Sequence, residues 1–170
     1  MINVLLLILY LRINKIVHDL EVTDKQMVII AGANGSGKTT FGIPFVKDLK
    51  YEYLNADEIA KKLELEGDRN ALIIKAGRIF FNRIEHCLKQ NLNFVVETTL
   101  SGTYIQKLVK RAKQKRYNVK IIYIFLDSSD LCVRRVKIRV LKGGHDVPEI
   151  DIRRRFKRSL LNYWNYSYRL

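Results

Sequence analysis

Gly32-Ala33-Asn34-Gly35-Ser36-Gly37-Lys38-Thr39 satisfies the pattern GxxxxGK[ST]. Glycines at this spacing let consecutive backbone N–H groups turn inward toward an anion, and a helix that starts at the lysine adds its partial positive charge to them. The chemistry is that of a cradle for a nucleoside triphosphate. Lys38 bridges the β- and γ-phosphates and the Thr39 hydroxyl holds Mg²⁺, while Gly32, Asn34, Gly35, Ser36, Gly37 and Thr40 complete the binding loop. The motif says little about what receives the phosphate.

A phosphotransfer site also needs a group that positions or deprotonates the acceptor hydroxyl, and cations that neutralise charge on the transferred phosphoryl. Carboxylates at the C-terminal ends of strands are the candidates. Asp57 follows a short strand pattern, Tyr51 to Leu54, which puts it on the crevice side of a parallel sheet, where ligands of α/β proteins bind. Its other reading is a helix N-cap. Glu97-Thr98-Thr99 closes the run Leu92 to Val96 (LNFVV) in the same way. A carboxylate there orients substrate, or water around Mg²⁺, or else belongs to an ordinary turn.

These residues need a scaffold, and the hydrophobic pattern supplies one. Gln26 to Ala31 (QMVIIA), Leu92 to Val96 and Val119 to Leu126 (VKIIYIFL) read as buried strands, with Tyr51 to Leu54 a weaker fourth. Lys38 to Leu49, Asp57 to Leu65, Asn70 to Gln90 and Tyr104 to Arg116 read as helices. Ser129 to Leu141 and Glu149 to Asn162 form a final pair around Gly143 and Gly144. Strands alternating with helical stretches specify an α/β domain with a parallel sheet wrapped by crossover helices. Pro44 should kink or shorten the first helix. No internal repeat or low-complexity linker divides the chain.

The composition narrows the setting. The 170 residues carry 31 Lys and Arg against 17 Asp and Glu, a formal charge of +14, which points to an anionic partner such as nucleotide phosphate, nucleic acid or a membrane surface. The apolar run Val4 to Leu11 is far shorter than the roughly 20 residues that span a bilayer. It also lacks the preceding positive charge and following small-residue site of a signal peptide. Cys87 and Cys132 lie far apart and outside any metal-binding spacing. The expectation is a reduced, cytoplasmic protein that does not enter a membrane.

Taken together, GANGSGKTT, LNADEIA, VVETTLSG and the stretch IIYIFLDSSDLCVRRVKIRVLKGGHDVPEIDIRRRFKRSL resemble the zeta toxin family of P-loop kinases, in particular its bacterial branch of ATPase-like proteins. The resemblance runs from about Met27 to Asn162. It implies a P-loop NTPase three-layer sandwich, a mainly parallel sheet with helices on both faces and a helical lid over about 134–158. It assigns residues 27–170 to the kinase-like domain and leaves 1–26 as an N-terminal extension, either an extra helix on the sheet or an artefact of the start site. It implies an ATP- and Mg²⁺-dependent kinase that acts on a small-molecule hydroxyl, UDP-N-acetylglucosamine in characterised members, and is held inactive by an antitoxin. Carried over by position, the phosphate-binding lysine is Lys38, the Mg²⁺ hydroxyl is Thr39 and the catalytic base is Asp57. The acceptor-binding pair is Glu97 and Thr99. Founding members carry an arginine two residues beyond that threonine; here Ser101 stands in its place.

The C-terminal third is strongly basic, with ten Lys or Arg between Arg134 and Arg158 against Asp146, Glu149 and Asp151. A hairpin of this kind is similar to the lids of nucleoside and shikimate-type kinases, with Arg139 and Arg154 as lid arginines and Arg135 near the adenine. Arginine suits that role because its planar fork grips phosphate oxygens and keeps its charge. Gly143 and Gly144 supply hinge freedom, and His145 contacts nucleotide or caps the next turn. A second basic run, Lys107, Lys110, Arg111, Lys113, Lys115 and Arg116, is either a solvated helix face or a footprint for RNA or DNA. The second choice of function follows from it: a nucleic-acid-binding ATPase or polynucleotide kinase-like protein. A third is a catalytically dead nucleotide-binding partner of an antitoxin. The aromatic residues Tyr163, Trp164, Tyr166 and Tyr168 read as packing or as a frayed tail.

Overall fold

All six residues of the strand Gln26–Ala31 are buried, as expected for a central strand of a parallel sheet covered on both faces. In a computed structural model describing residues 25–47, 49, 51–63 and 69–167, this strand, β1, is flanked by parallel neighbours on each side. The others are β2 (Glu52–Leu54), β3 (Phe94–Thr98) and β4 (Asn118–Tyr123), in the order β2-β3-β1-β4. The helices are α1 (Lys38–Lys47), α2 (Ala56–Leu63), α3 (Arg69–Gln90), α4 (Tyr104–Gln114), α5 (Ser129–Leu141) and α6 (Glu149–Ser167). The N-terminal apolar run and Tyr168 lie outside the described residues.

Alternation along β1 assigns the two faces. Met27, Ile29 and Ala31 join Ile59 of α2, Phe80, Ile84 and Leu88 of α3, and Ile105 and Leu108 of α4 in the larger core. Val28 and Ile30 point the other way and meet Phe41 and Phe45 of α1. A third cluster joins Ala33 of the glycine-rich loop to Cys132, Val133 and Val136 of α5 and Ile152 of α6. The basic hairpin is thereby packed directly on the loop. The result is an α/β P-loop kinase-like fold, with a parallel sheet between helical layers.

Several boundaries differ from the sequence expectation. The third run does not remain a strand to Leu126: β4 ends at Tyr123, and one further ladder bond joins the Ile124 N–H to the Ala31 carbonyl at 2.8 Å. Strand β3 is displaced toward its C-terminus, so Glu97 lies inside it opposite Ile30. Helix α1 passes through Pro44. Pro44 is on the exposed side of the helix, where water can serve the carbonyl of Thr40 that it leaves without a donor. Helix α6 continues past Asn162 to Ser167, because Tyr166 is buried in the main core and Tyr163 packs on Tyr123. Tyr163 and Tyr166 are therefore packing, whereas Trp164 is exposed and stands edge-on to Tyr163. Gln26, at the end of the expected extension, is a full member of β1 and pairs with Asn118.

Gly35 marks where loop and hairpin meet. Its φ is +78°, and a Cβ there would stand 2.9 Å from the Cys132 carbonyl oxygen, a backbone atom that cannot swing aside. Gly35→Ala is expected to lower stability by about 1–3 kcal/mol, read as a shift of the urea midpoint.

Candidate active site

Lys38 opens α1 and folds back over its own loop, donating from Nζ to the carbonyl oxygen of Ala33 at 2.9 Å. The side chain is 8% exposed. Burial pulls its pKa below the ordinary lysine range. The carboxylates of Glu97 and Asp57 oppose that shift, and the guanidinium of Arg139 adds to it. Four of the residues singled out by the sequence thus share one electrostatic neighbourhood.

The loop is built for an anion. Ser36 donates its N–H to Ala33 and Phe41 donates to Gly37, whereas the N–H groups of Gly35 and Gly37 have no protein acceptor among the described residues. The first-turn N–H groups of Lys38, Thr39 and Thr40 lack intrahelical partners, as at any helix start. The Ser36 hydroxyl is buried without a hydrogen-bond partner and can donate, the Asn34 side-chain oxygen, an acceptor, is also buried without one, and a Cβ at Gly37 would meet nothing. Orphaned donors, a buried cation and open space fit a triphosphate.

Of the readings that the sequence leaves open for Glu97, its contacts match the one beside the Mg²⁺ hydroxyl. Thr39 Oγ1 donates to its Oε1 at 2.9 Å, and the Tyr53 hydroxyl donates to its Oε2. Both oxygens are engaged, so Glu97 belongs with Thr39 beside the phosphate loop. Burial, followed by the hydrogen bond to Glu97, pushes the Tyr53 phenol far above its usual range, so it remains a donor at any physiological pH. One hydroxyl and one carboxylate side by side are a donor set of the kind that holds Mg²⁺ together with nucleotide phosphates. Thr99 is one turn of chain further on, its hydroxyl 2.9 Å from that of Ser101.

Asp57 is not the helix N-cap. Asn55 is: its Oδ1 accepts from the N–H of Asp57 at 2.8 Å and of Glu58 at 3.3 Å, and its carbonyl accepts the first helical bond from Ile59. The Asp57 carboxylate is exposed and makes no hydrogen bond or ion pair among the described residues. Sequence reasoning missed Tyr53 and Asn55. An Asn between a strand and a helical pattern is an N-cap signature that could have identified the second; nothing in the local pattern marks the first.

The hairpin contributes unequally. Arg135 Nη1 lies 3.5 Å from the Gly35 carbonyl oxygen, at the loop. Arg139 donates from Nη2 to the His145 carbonyl at 2.5 Å, while its Nε is buried without a partner. His145 thus engages through its backbone, and the Gly143–Gly144 turn closes on the carbonyls of Val140 and Arg139. Arg154 is not brought to the loop: it pairs with Asp151 on its own helix at 2.6 Å. Arg153 instead ties the two helices, reaching Asp130 and Glu149 at 2.7 Å each. In the other basic run, Arg111 is forked onto Glu85 of α3, with both bonds at 2.6 Å.

Buried Lys38 has a cost without ligand. Below its lowered pKa the folded chain holds a desolvated cation that the unfolded chain hydrates freely. The penalty fades as pH rises toward 10.5, where the unfolded lysine also loses its proton. Lys38→Met is expected to raise the melting temperature of the nucleotide-free protein near neutral pH by about 2–4 °C, about 1 kcal/mol, with the gap closing toward pH 10.5 in a pH series of thermal melts.

The chain is similar to known proteins over most of its length. An uncharacterised protein of Haemophilus influenzae is 32% identical over 137 residues, covering 81% of this chain and 96% of that one. The heterogeneous nuclear ribonucleoprotein U-like protein 2 of Mus musculus is 21% identical over 150 residues, which cover 81% of this chain but 20% of the mouse protein. Among solved structures, a chain of the Pnkp1/Rnl/Hen1 RNA repair complex superposes with a TM-score of 0.67 at 17% identity, covering 85% of this chain and 47% of that one. A chain of the PezAT chromosomal toxin-antitoxin system of Streptococcus pneumoniae gives 0.57 at 18% identity, covering 77% and 61%. The AAA_33 family, described as an AAA domain, matches residues 27–159, from β1 through the glycine-rich loop and into α6. The chain belongs to this AAA domain family, on a P-loop kinase-like fold.

Proposed function

We propose that the chain is a kinase of the zeta toxin kind, transferring the γ-phosphoryl group of ATP to a hydroxyl on a small molecule. The observation that carries this reading is the division of labour between two carboxylates. Glu97 is engaged by Thr39 and Tyr53, whereas Asp57 is unpartnered in the same field of Lys38. Asp57, in the first turn of the helix after β2, thus carries a free carboxylate of the kind that can take a proton from an acceptor hydroxyl.

In this reading the N–H groups of the loop take the phosphates, and Lys38 exchanges the Ala33 carbonyl for phosphate oxygens. Thr39, with Glu97 behind it, would hold Mg²⁺, which would supply charge neutralisation at the nucleotide phosphates. Asp57 accepts the acceptor hydroxyl's proton as that oxygen bonds to the γ-phosphorus and the bond to the β-phosphate oxygen breaks. Arg139 supplies positive charge at the phosphoryl group, and Arg135 lies on the nucleotide side of the loop. Arg154 joins them only by leaving Asp151.

Thr99 and Ser101 present paired hydroxyls for the acceptor, a neutral surface where the resembled family has an arginine. That chemistry favours a neutral polyol or sugar acceptor and gives no particular support to UDP-N-acetylglucosamine. An inhibitory protein partner, implied by the toxin resemblance, belongs to the same proposal. The nucleic-acid reading ranks lower because Arg111, in the centre of the basic run on α4, is forked onto Glu85. No helix among the described residues is long and apolar enough to cross a membrane.

Phosphorus NMR with Mg-ATP and a panel of hydroxyl acceptors tests the reading. A new phosphomonoester signal is expected for the native chain. Asp57→Asn should reduce its rate by about 10²–10⁴-fold with nucleotide affinity unchanged, and Lys38→Ala should abolish nucleotide binding. Transfer that survives Asp57→Asn removes the base assignment.

A further inference from the structure

Tyr53, Glu97, Thr39 and Gly42 come from three elements and meet on one face of the sheet. Tyr53 of β2 stands opposite Val95 of β3, so Glu97, two residues along, is its diagonal neighbour on the same face. Val28, Ile30, Val95 and Tyr53 share the cluster covered by α1. Glu97 therefore faces the start of α1, where Thr39 is. Its two oxygens are divided between the Thr39 hydroxyl and the Tyr53 phenol. Gly42, one turn along α1 from Thr39, lies over that phenol: a Cβ there would stand 2.8 Å from the Tyr53 hydroxyl oxygen, 3.1 Å from Cε2 of the same ring and 3.2 Å from Cδ1 of Ile30.

We propose that Tyr53 is a positioning residue that acts through Glu97: its phenol fixes the carboxylate so that the Thr39 hydroxyl is held ready for the metal–phosphate edge of the nucleotide, and position 42 is glycine to leave room for that phenol. The inference rests on the phosphotransfer reading for its purpose and on geometry for its content. A carboxylate held at one oxygen can still rotate about its terminal bond. Held at both, it presents Oε1 to Thr39 in one orientation. Without the phenol, Oε2 stays in a half-buried site with no donor, and Thr39 faces a carboxylate free to turn.

A purely structural tyrosine would contribute its ring and nothing more. Tyr53→Phe keeps the ring and removes only the donor to Oε2, so the variant is expected to fold with a melting temperature a few degrees below native. Calorimetric titration with a non-hydrolysable β,γ-imido ATP analogue, once with Mg²⁺ and once with EDTA, separates the two roles. The expected result is about a 5- to 20-fold loss of affinity with Mg²⁺ and no change with EDTA. Gly42→Ala should give the same pattern by displacing the phenol, although alanine favours the helix. With phenylalanine at 53 the closest contact of the added methyl is gone and the ring edge and Ile30, at 3.1 and 3.2 Å, need give only a few tenths of an ångström, so the double variant should lose little more affinity than Tyr53→Phe alone.

Equal Mg²⁺-dependent affinity in the native chain and Tyr53→Phe overturns the positioning role and leaves the kinase reading standing. Losses that multiply in the double variant overturn the assignment of Gly42. A native chain that binds the analogue equally with Mg²⁺ and with EDTA overturns the inference together with the reading it rests on.

Discussion

A cation held out of water is the constraint around which the rest of this site is arranged. Lys38 is buried at the start of α1, where a helix N-terminus already carries partial positive charge. Two like-signed influences at one place would be untenable without compensation. The Ala33 carbonyl accepts a hydrogen bond from the ammonium, and the negative charges of Glu97 and Asp57 favour its protonated form. Each needs its own support: Ala33 is anchored by α5 and α6, Glu97 by its place in β3, and Asp57 by the Asn55 cap of α2. The sheet order β2-β3-β1-β4 brings these supports together, because it sets the ends of β2 and β3 beside the loop that follows β1.

The basic hairpin is less free than its composition suggests. Arg153 staples α6 to α5 through Asp130 while also pairing with Glu149 on its own helix, and Arg154 is spent within its own helix. Arg139 and Arg135 remain with the loop, and the apolar cluster of Cys132, Val136 and Ile152 holds both helices against Ala33. Exposed ion pairs such as these add little stability, so the apolar cluster accounts for most of the docking. Their greater use is in fixing which arginines point away from the phosphate loop.

Glu97 shows how tertiary structure reassigns a residue without changing its chemistry. Its type and its place at the end of a strand mark it as a functional carboxylate. The face it occupies is decided by the pairing of β3 with β1 and β2, and that face is covered by α1. It therefore meets Thr39 and Tyr53. Tyr53 carries no local signal in the sequence, because an aromatic residue in a short edge strand is ordinary.

The sequence by itself determined the loop, the alternation of strands and helices and the carboxylate at the end of β2, because these depend on local backbone needs: glycines where N–H groups converge, apolar runs of strand length, a helix beginning at Lys38. Only the tertiary structure decided which of two chemically equal side chains does what. The charge of Arg139 is felt at Lys38, whereas Arg154 is paired with Asp151, although both are arginines in one basic hairpin. Asn55 takes the cap and leaves Asp57 unpartnered, and Tyr53 reaches Glu97 across strands separated by more than forty residues. The physical reason is that a hydrogen bond or ion pair is settled by distances of a few ångströms. Those distances are set by strand register and helix packing, which local composition constrains but does not spell out.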